Sequence, residues 1–315
     1  MDRVLARERW LRLSDEHAAR VDRATEGHRR RRQAGMAHPV EDFLFTYYPF
    51  RPGALRRWHP GPGVVLDGAA SCERAHWHHY TTVGSDVRLD QTAYLVQRGD
   101  AVRFVRDLLE RVQMRPAQLA CFGLHEWAML YRVPQERIRH DSWPLRLGPD
   151  GTDTVVEAGR LRCTHVDAFR FFSGPARPRN ALAPTRERQA ELEQPGCVHA
   201  GMDLYKWAMK LAPGIPSELV MDCFELAREL RVLDMRASPY DLRELGYEPI
   251  AIETADGRAA YVRAQRRYAE RGQSLRARLL AACDALLGAT DLPVGGGRGR
   301  PSCHPRRRAG SPPRG

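Results

Sequence analysis

Three segments of the chain place a histidine within four residues of a carboxylate and beside aromatic side chains. They are GLHEWAM with His125 and Glu126, CTHVDAFRFF with His165 and Asp167, and CVHAGMDLYKWAM with His199 and Asp203. Residues four apart share one face of a helix, and residues two apart share one face of a strand. Histidine–carboxylate pairs of this kind transfer protons or bind metal ions. We therefore predict that His125, His165 and His199 lie around a common pocket.

A mononuclear metal site is one hypothesis for these pairs. His165 and Asp167 on a strand, joined by the distant His199, would give the two-histidine, one-carboxylate ligand set of non-haem iron enzymes, with zinc as the other candidate ion. A zinc protease is disfavoured, because Met129 stands where the HExxH motif needs its second histidine. The alternative for each pair is a buried hydrogen bond that fixes one structural element against another.

The same segments also contain the two lysines of the chain and several aromatic residues. The chain contains 48 arginines and two lysines. The presence of Lys206 and Lys210 is either chance or reflects a requirement for an ammonium group that can lose its proton. Trp127, Trp207 and Tyr47 have the helical spacing of ordinary core residues. Aromatic side chains would also build a slot in which an extruded base stacks.

The net charge of +11 lies almost entirely at the two ends of the chain. Residues 1–35 carry ten arginines against six acids, and residues 292–315 carry six arginines and no acid. The remaining 34 basic and 33 acidic residues give the stretch 36–291 a net charge of only +1. A nucleic-acid partner would therefore have to bind the ends or a local basic patch. The seven cysteines form no CxxC pair, which favours free thiols over a zinc knuckle or a disulfide framework.

The elements that carry these residues read as mainly α with a small β-sheet, an α+β fold. Apolar periodicity predicts helices after Pro39 and over 100–113, 117–131, 185–193, 199–211, 217–235 and 256–287. Short strands are predicted at VVL, WHHYTTV and EPIAIET, with a hairpin over 154–166. We predict a solvated basic polar arm over 1–35, a single globular core over 36–288 and a disordered tail over 289–315.

The location of the protein follows from the absence of targeting signals in the sequence. No apolar run approaches the ~20 residues that span a bilayer, and the first residues contain no uninterrupted apolar stretch of the kind a secretory signal needs. We therefore expect a cytoplasmic protein without a membrane partner.

Long stretches of the core resemble a known bacterial family. The segments are HPVEDFLFTYYPFRPGALRRWHPG, GLHEWAMLYR, WPLRLGPDGTD, THVDAFRFF, EQPGCVHAGMDLYKWAMKL and ELVMDCFELARELRVLDMRASPYDL. Together they span about 36–285 and resemble a family common in actinobacteria that is usually labelled 3-methyladenine DNA glycosylase. The resemblance implies release of alkylated purines from damaged double-stranded DNA, with no cofactor. The chain lacks the LPGVG-like loop of helix-hairpin-helix glycosylases, so its fold would differ from that of those enzymes.

Site roles follow from this resemblance as hypotheses. Asp203 or Asp167 would be the catalytic carboxylate, and Lys206 would contact a phosphate or the lesion. Trp127 and Trp207 would stack on the base. The other expected substrate-binding residues are His125, Glu126, His199 and Tyr47. The alternative function is a metal-dependent enzyme that acts on a small molecule and binds iron or zinc through His165, Asp167 and His199.

Overall fold

The predicted class is confirmed, because the protein consists mainly of helices with one small sheet. The computed structural model describes residues 2–138 and 142–288. The tail predicted to be disordered, 289–315, lies outside the described residues. The α-helices are α1 Arg7–Gln33, α2 Phe43–Tyr47, α3 Pro52–Leu55, α4 Gln91–Gln113, α5 Leu124–Leu130, α6 Gly148–Ala158, α7 Val166–Phe169, α8 Gln189–Leu192, α9 Val198–Lys210, α10 Ser217–Arg236 and α11 Ala255–Leu287. No helix in the described ranges is long and apolar enough to cross a bilayer.

Helices α4, α9, α10 and α11 pack together and enclose the main hydrophobic core. Helix α9 approaches α10 closely at Gly201, where an added Cβ would lie 2.6 Å from a methyl group of Leu230. The helices predicted at 199–211, 217–235 and 256–287 are confirmed to within one or two residues at each end. In each of these helices the apolar residues recur over several turns and lie on the face that the other helices cover.

The sheet contains four short strands in the order β1-β2-β4-β3. They are β1 Arg3–Leu5, β2 Val64–Leu66, β3 Tyr80–Val83 and β4 Asp86–Leu89. Strand β1 pairs parallel to β2, whereas β2–β4 and β3–β4 are antiparallel. The strands predicted at VVL and within WHHYTTV are therefore confirmed.

Two predicted β-elements are wrong. The segment predicted as a hairpin over 154–166 begins inside helix α6, where Thr152 and Val156 lie four residues apart and are both buried. This helical burial pattern overrides the β preference of the Thr154–Val156 run. The segment EPIAIET forms no strand, and its Ile250 N–H bonds instead to the carbonyl of Arg236 at the end of α10.

The solvated arm predicted over 1–35 is also wrong. Strand β1 joins the sheet, and α1 buries Trp10, His17, Val21 and Thr25 along one face. Arg20 of α1 forms ion pairs with α10, at 2.8 Å to Asp222 and 2.7 Å to Glu225. Only four residues of α1 are buried and two of them are polar, so its sequence shows no apolar face. One face nevertheless packs against the rest of the protein.

Candidate functional site

The three predicted histidines converge in the interior of the protein. His125 lies on α5, His199 on α9, and His165 immediately before α7. The ring centroids of His125 and His199 are 4.6 Å apart, and those of His199 and His165 are 5.4 Å apart. His199 therefore lies between the other two imidazoles, so the three side chains do meet. They do not surround one pocket, because His125 and His199 line a small cavity that His165 does not reach.

The positions of α5 and α7 follow from local backbone geometry. Phe122 and Gly123 have positive φ angles of 50° and 75°, which are incompatible with a right-handed helix. The helix predicted over 117–131 therefore begins only at Leu124. A Cβ at Gly123 would lie 3.2 Å from that of Ala237, so the missing side chain lets the start of α5 approach the end of α10. His165 and Asp167 do not share a strand face, because α7 begins at Val166.

His165, at one end of the row of three histidines, belongs to a closed network of buried charges. His165 Nε2 lies 3.2 Å from Asp203 Oδ2 and 3.4 Å from Glu193 Oε1. The Tyr48 hydroxyl donates to Asp203 Oδ1 at 2.7 Å. The Lys206 ammonium bonds to the Asp203 carboxylate and lies 3.4 Å from Asp167 Oδ2. The predicted catalytic group of Asp203, Asp167 and Lys206 therefore does assemble.

The charge states in this network follow from these contacts. Burial alone would raise the pKa of Asp203, but the Lys206 ammonium and the His165 imidazole hold that pKa below its usual value. Burial alone would lower the pKa of His165, but the carboxylates of Glu193 and Asp203 raise it. Asp203 is thus an ionised carboxylate whose charge is compensated on every side.

His125, at the other end of the row of three histidines, belongs to a second buried ion pair. His125 Nε2 lies 2.8 Å from Asp234 Oδ1, and both side chains are almost fully buried. Burial alone would lower the pKa of His125, but the Asp234 carboxylate outweighs it and raises that pKa well above its usual value. Arg231 lies beside them, with one guanidinium nitrogen 2.9 Å from Glu126 Oε1 and 3.5 Å from Asp234 Oδ2.

His199, at the centre, differs from its two neighbours. Among the described residues its side chain has no hydrogen-bond partner, and its contacts are the rings of His125 and His165. Burial and the positive charges of those two histidines lower the pKa of His199 well below its usual value. The His199 imidazole is therefore neutral, with lone-pair and N–H groups available to a ligand.

A cavity of about 410 Å³ opens beside His199. Its aromatic lining consists of Phe43, Tyr47, Trp143, Phe171 and Tyr240. Tyr47 stacks on Phe43 with ring centroids 5.0 Å apart. The buried Tyr47 hydroxyl has no hydrogen-bond partner among the described residues. Glu126 and Arg231 form part of the polar wall, so the predicted residues Glu126, His199 and Tyr47 meet at one cavity.

Asp167, Lys206 and Trp207 line a separate, more open groove of about 940 Å³. Trp207 lies between the two lysines, with its ring centroid 4.4 Å from Lys206 Nζ and 5.4 Å from Lys210 Nζ. Asp167 is held there by Arg186 at 2.8 Å. The predicted site residues that reach an opening are therefore divided between the cavity and the groove. The row of three buried histidines lies between these two openings.

Three of the predicted catalytic or substrate-binding residues line neither opening. One is His125, which lines a smaller cavity of about 30 Å³ instead. Trp127 has no exposed surface, and its Nε1–H donates to the carbonyl of Ala237 at 2.8 Å, so it is a core residue and not a stacking surface. Asp203 is 1% exposed and lines neither the cavity nor the groove. Helical spacing alone did not distinguish the inward face of α5 from the cavity face.

The groups that could hold a metal ion differ from the predicted set. Two groups within the described ranges have three ligand atoms lying within 4.8 Å of one another. They are His125, His199 and Asp234, and His165, Glu193 and Asp203. Asp167 belongs to neither group, because its carboxylate turns toward Arg186 and Lys206. The predicted combination of His165, Asp167 and His199 is therefore wrong as one ligand set.

Two residues of these groups were missed as ligands. The sequence distinguishes Asp234 only by its position at the end of a predicted helix, just before Ser238-Pro239. Glu193, at the end of the short helix α8, has no sequence signal that distinguishes it from a surface acid. Its burial depends on Gln189, which donates to Glu193 Oε1 at 2.6 Å, and on His165 from another part of the chain.

Comparison of the chain with protein-family models, curated proteins and solved structures gives no match. The resemblance to the glycosylase family stays a prediction.

Proposed function

We propose that this protein is a DNA N-glycosylase that releases alkylated purines such as 3-methyladenine. The observation that carries this proposal is the composition of the 410 Å³ cavity, which five aromatic side chains line together with Glu126 and the neutral His199. A cavity of this size is in the range of small-molecule sites, and flipped bases bind between aromatic side chains. Such a substrate implies action on double-stranded DNA in the cytoplasm.

The proposed chemistry needs one carboxylate at the cavity wall. An alkylated purine is positively charged, so it leaves readily when the C–N bond to the sugar breaks. The Glu126 carboxylate stabilises the positive charge that develops on the sugar. Water then forms the new bond to the sugar carbon and gives its proton to Glu126. Asp203 has no direct part in this scheme, because it lies outside the cavity.

Substitution of Glu126 tests the chemistry directly. Glu126→Gln should lower the single-turnover rate of 3-methyladenine release from methylated duplex DNA on the order of a hundredfold, since it removes a preorganised charge. No metal or cofactor is added to the assay. The matched control is Glu157→Gln, an exposed glutamate that bonds to Tyr131 and Arg132 outside the cavity. Wild-type protein that releases no base, or a Glu126→Gln protein with an unchanged rate, would contradict the proposal.

The basic run at the end of α1 lies next to the cavity. Arg31 of this run is 2.6 Å from Asp42, which lines the cavity, while Arg29, Arg30 and Arg32 are exposed. Exposed arginines on a helix that ends beside a base-binding cavity would contact the phosphates on either side of the extruded nucleotide.

Replacing the exposed arginines Arg29, Arg30 and Arg32 with glutamine should weaken DNA binding. Each lost phosphate contact lowers the slope of log K against log salt concentration by about 0.9, so a loss of up to roughly 2.7 is expected. The control replaces Arg3, Arg9 and Arg12, since Arg9 and Arg12 lie on the same helix roughly 27 Å or more from Arg30 by helical rise. Binding is measured by fluorescence anisotropy at several salt concentrations. Equal losses in the two triple variants would argue against a local phosphate site.

A further inference from the structure

We propose that His125, His199 and Asp234 form a binding site for a divalent transition-metal ion at the inner wall of the aromatic cavity. The donor atoms of the three side chains lie within 4.8 Å of one another, and the three residues are at most 5% exposed. Ligands about 2.1 Å from a shared ion lie about 3.4 Å apart, so small side-chain rotations suffice for coordination. Two histidines and one carboxylate suit zinc, iron or manganese, and the bound ion would replace the proton that Asp234 stabilises on His125.

The surroundings of these side chains have the features of a preorganised site. The second ring nitrogen of His125 lies 3.6 Å from the Cys121 thiol, which leaves Nε2 facing Asp234. Arg231 contacts the other carboxylate oxygen of Asp234 at 3.5 Å. Such outer contacts orient metal ligands. The three ligands stand on α5, α9 and α10, and two of these helices belong to the main packing unit of the core.

His199 supplies the observation that distinguishes a ligand site from a structural ion pair. A buried imidazole normally has a hydrogen-bond partner. No hydrogen bond among the described residues involves the His199 side chain, which lies beside His125 and lines the cavity. The buried His125 Nε2 and Asp234 Oδ1 atoms, 2.8 Å apart, also lack a partner with hydrogen-bond geometry there. A metal ion would use the free nitrogen of His199, and its open coordination positions would face the cavity and Glu126.

The neighbouring group of His165, Glu193 and Asp203 is a weaker candidate. The Lys206 ammonium already bonds to the Asp203 carboxylate, and Tyr48 and Gln189 donate to Asp203 and Glu193. The ammonium bonds to Asp203 Oδ2, the same oxygen that faces His165, whereas Arg231 contacts the oxygen of Asp234 that does not face His125. An added metal ion would have to displace Lys206 from a site where both partners are buried.

Metal titration of the full chain tests the site without DNA. Chelator-treated protein is titrated with Zn²⁺ in a competing buffer, and with Co²⁺ for its visible absorption. One equivalent should bind to the wild-type protein and to His165→Gln. His199→Ala and Asp234→Asn should weaken binding on the order of a hundredfold or more, since they remove direct ligands. Absence of stoichiometric binding, or loss in His165→Gln with retention in His199→Ala, would overturn the proposal.

X-ray absorption of the Zn²⁺-loaded wild-type protein provides a readout that does not depend on folding of the variants. Two imidazoles with oxygen and no sulfur are expected. Sulfur in the coordination shell would overturn the site and point to Cys121, Cys163 and Cys197, which line a small adjoining cavity.

The metal proposal and the glycosylase proposal can fail separately, since one is measured as binding and the other as base release. Metal binding without base release would favour a metal-dependent enzyme acting on a small molecule in the same cavity.

Discussion

Deletion of residues 2–30 is expected to abolish cooperative folding. The deletion removes strand β1 and most of α1, and with them Trp10 and Val21, which are at most 2% exposed. Loss of one large buried side chain costs about 2–5 kcal/mol, while whole domains are stable by only about 5–15 kcal/mol. The deletion also leaves Asp222 and Glu225 without Arg20.

Thermal unfolding followed by circular dichroism checks this result. The control is deletion of 292–315, which the sequence predicts to leave the melting temperature nearly unchanged because that segment lacks apolar periodicity. A protein without residues 2–30 that melts cooperatively near the wild-type temperature would show that α1 is dispensable.

Replacement of Lys206 with methionine is expected to destabilise the protein by about 3–5 kcal/mol, because it leaves buried carboxylates without their cation. Asp203 is 1% exposed and its bond to Lys206 is lost, while Asp167 also loses the ammonium 3.4 Å from its Oδ2. The chain offers a matched control in Lys210→Met. Lys210 is exposed at the end of the same helix, so its replacement should change the free energy of unfolding very little.

Urea unfolding of the variants separates the charge effect from packing. Lys206→Met combined with Asp203→Asn should recover part of the lost stability, because the uncompensated charge is then absent. Lys206 holds the pKa of Asp203 below its usual value, so this pair stabilises the folded state above the unfolded pKa and loses that effect as the pH falls. The difference between wild type and Lys206→Met should therefore shrink in acid. An unchanged difference at low pH would contradict the assigned charge states.

The sequence by itself determined the helical class, the positions of α9, α10 and α11 and the set of histidines that meet. Helices α9, α10 and α11 were predictable because each repeats its apolar residues over several turns, a signal contained in the segment itself. His125, His165 and His199 could be singled out because each combines a polar group with apolar neighbours, which is unusual unless the group has a partner in the interior.

Only the tertiary structure decided which partner each of these groups has. Asp167 and Asp203 looked equivalent as carboxylates near a histidine, yet one lines the groove and the other lies beneath it. Trp127 faces the core, while the adjacent Glu126 reaches the cavity. Residues 1–35 became part of the fold because strand β1 pairs with β2 and helix α1 forms ion pairs with α10. Such assignments depend on contacts between residues tens to hundreds of positions apart, and a local pattern contains no information about which distant surface will cover it.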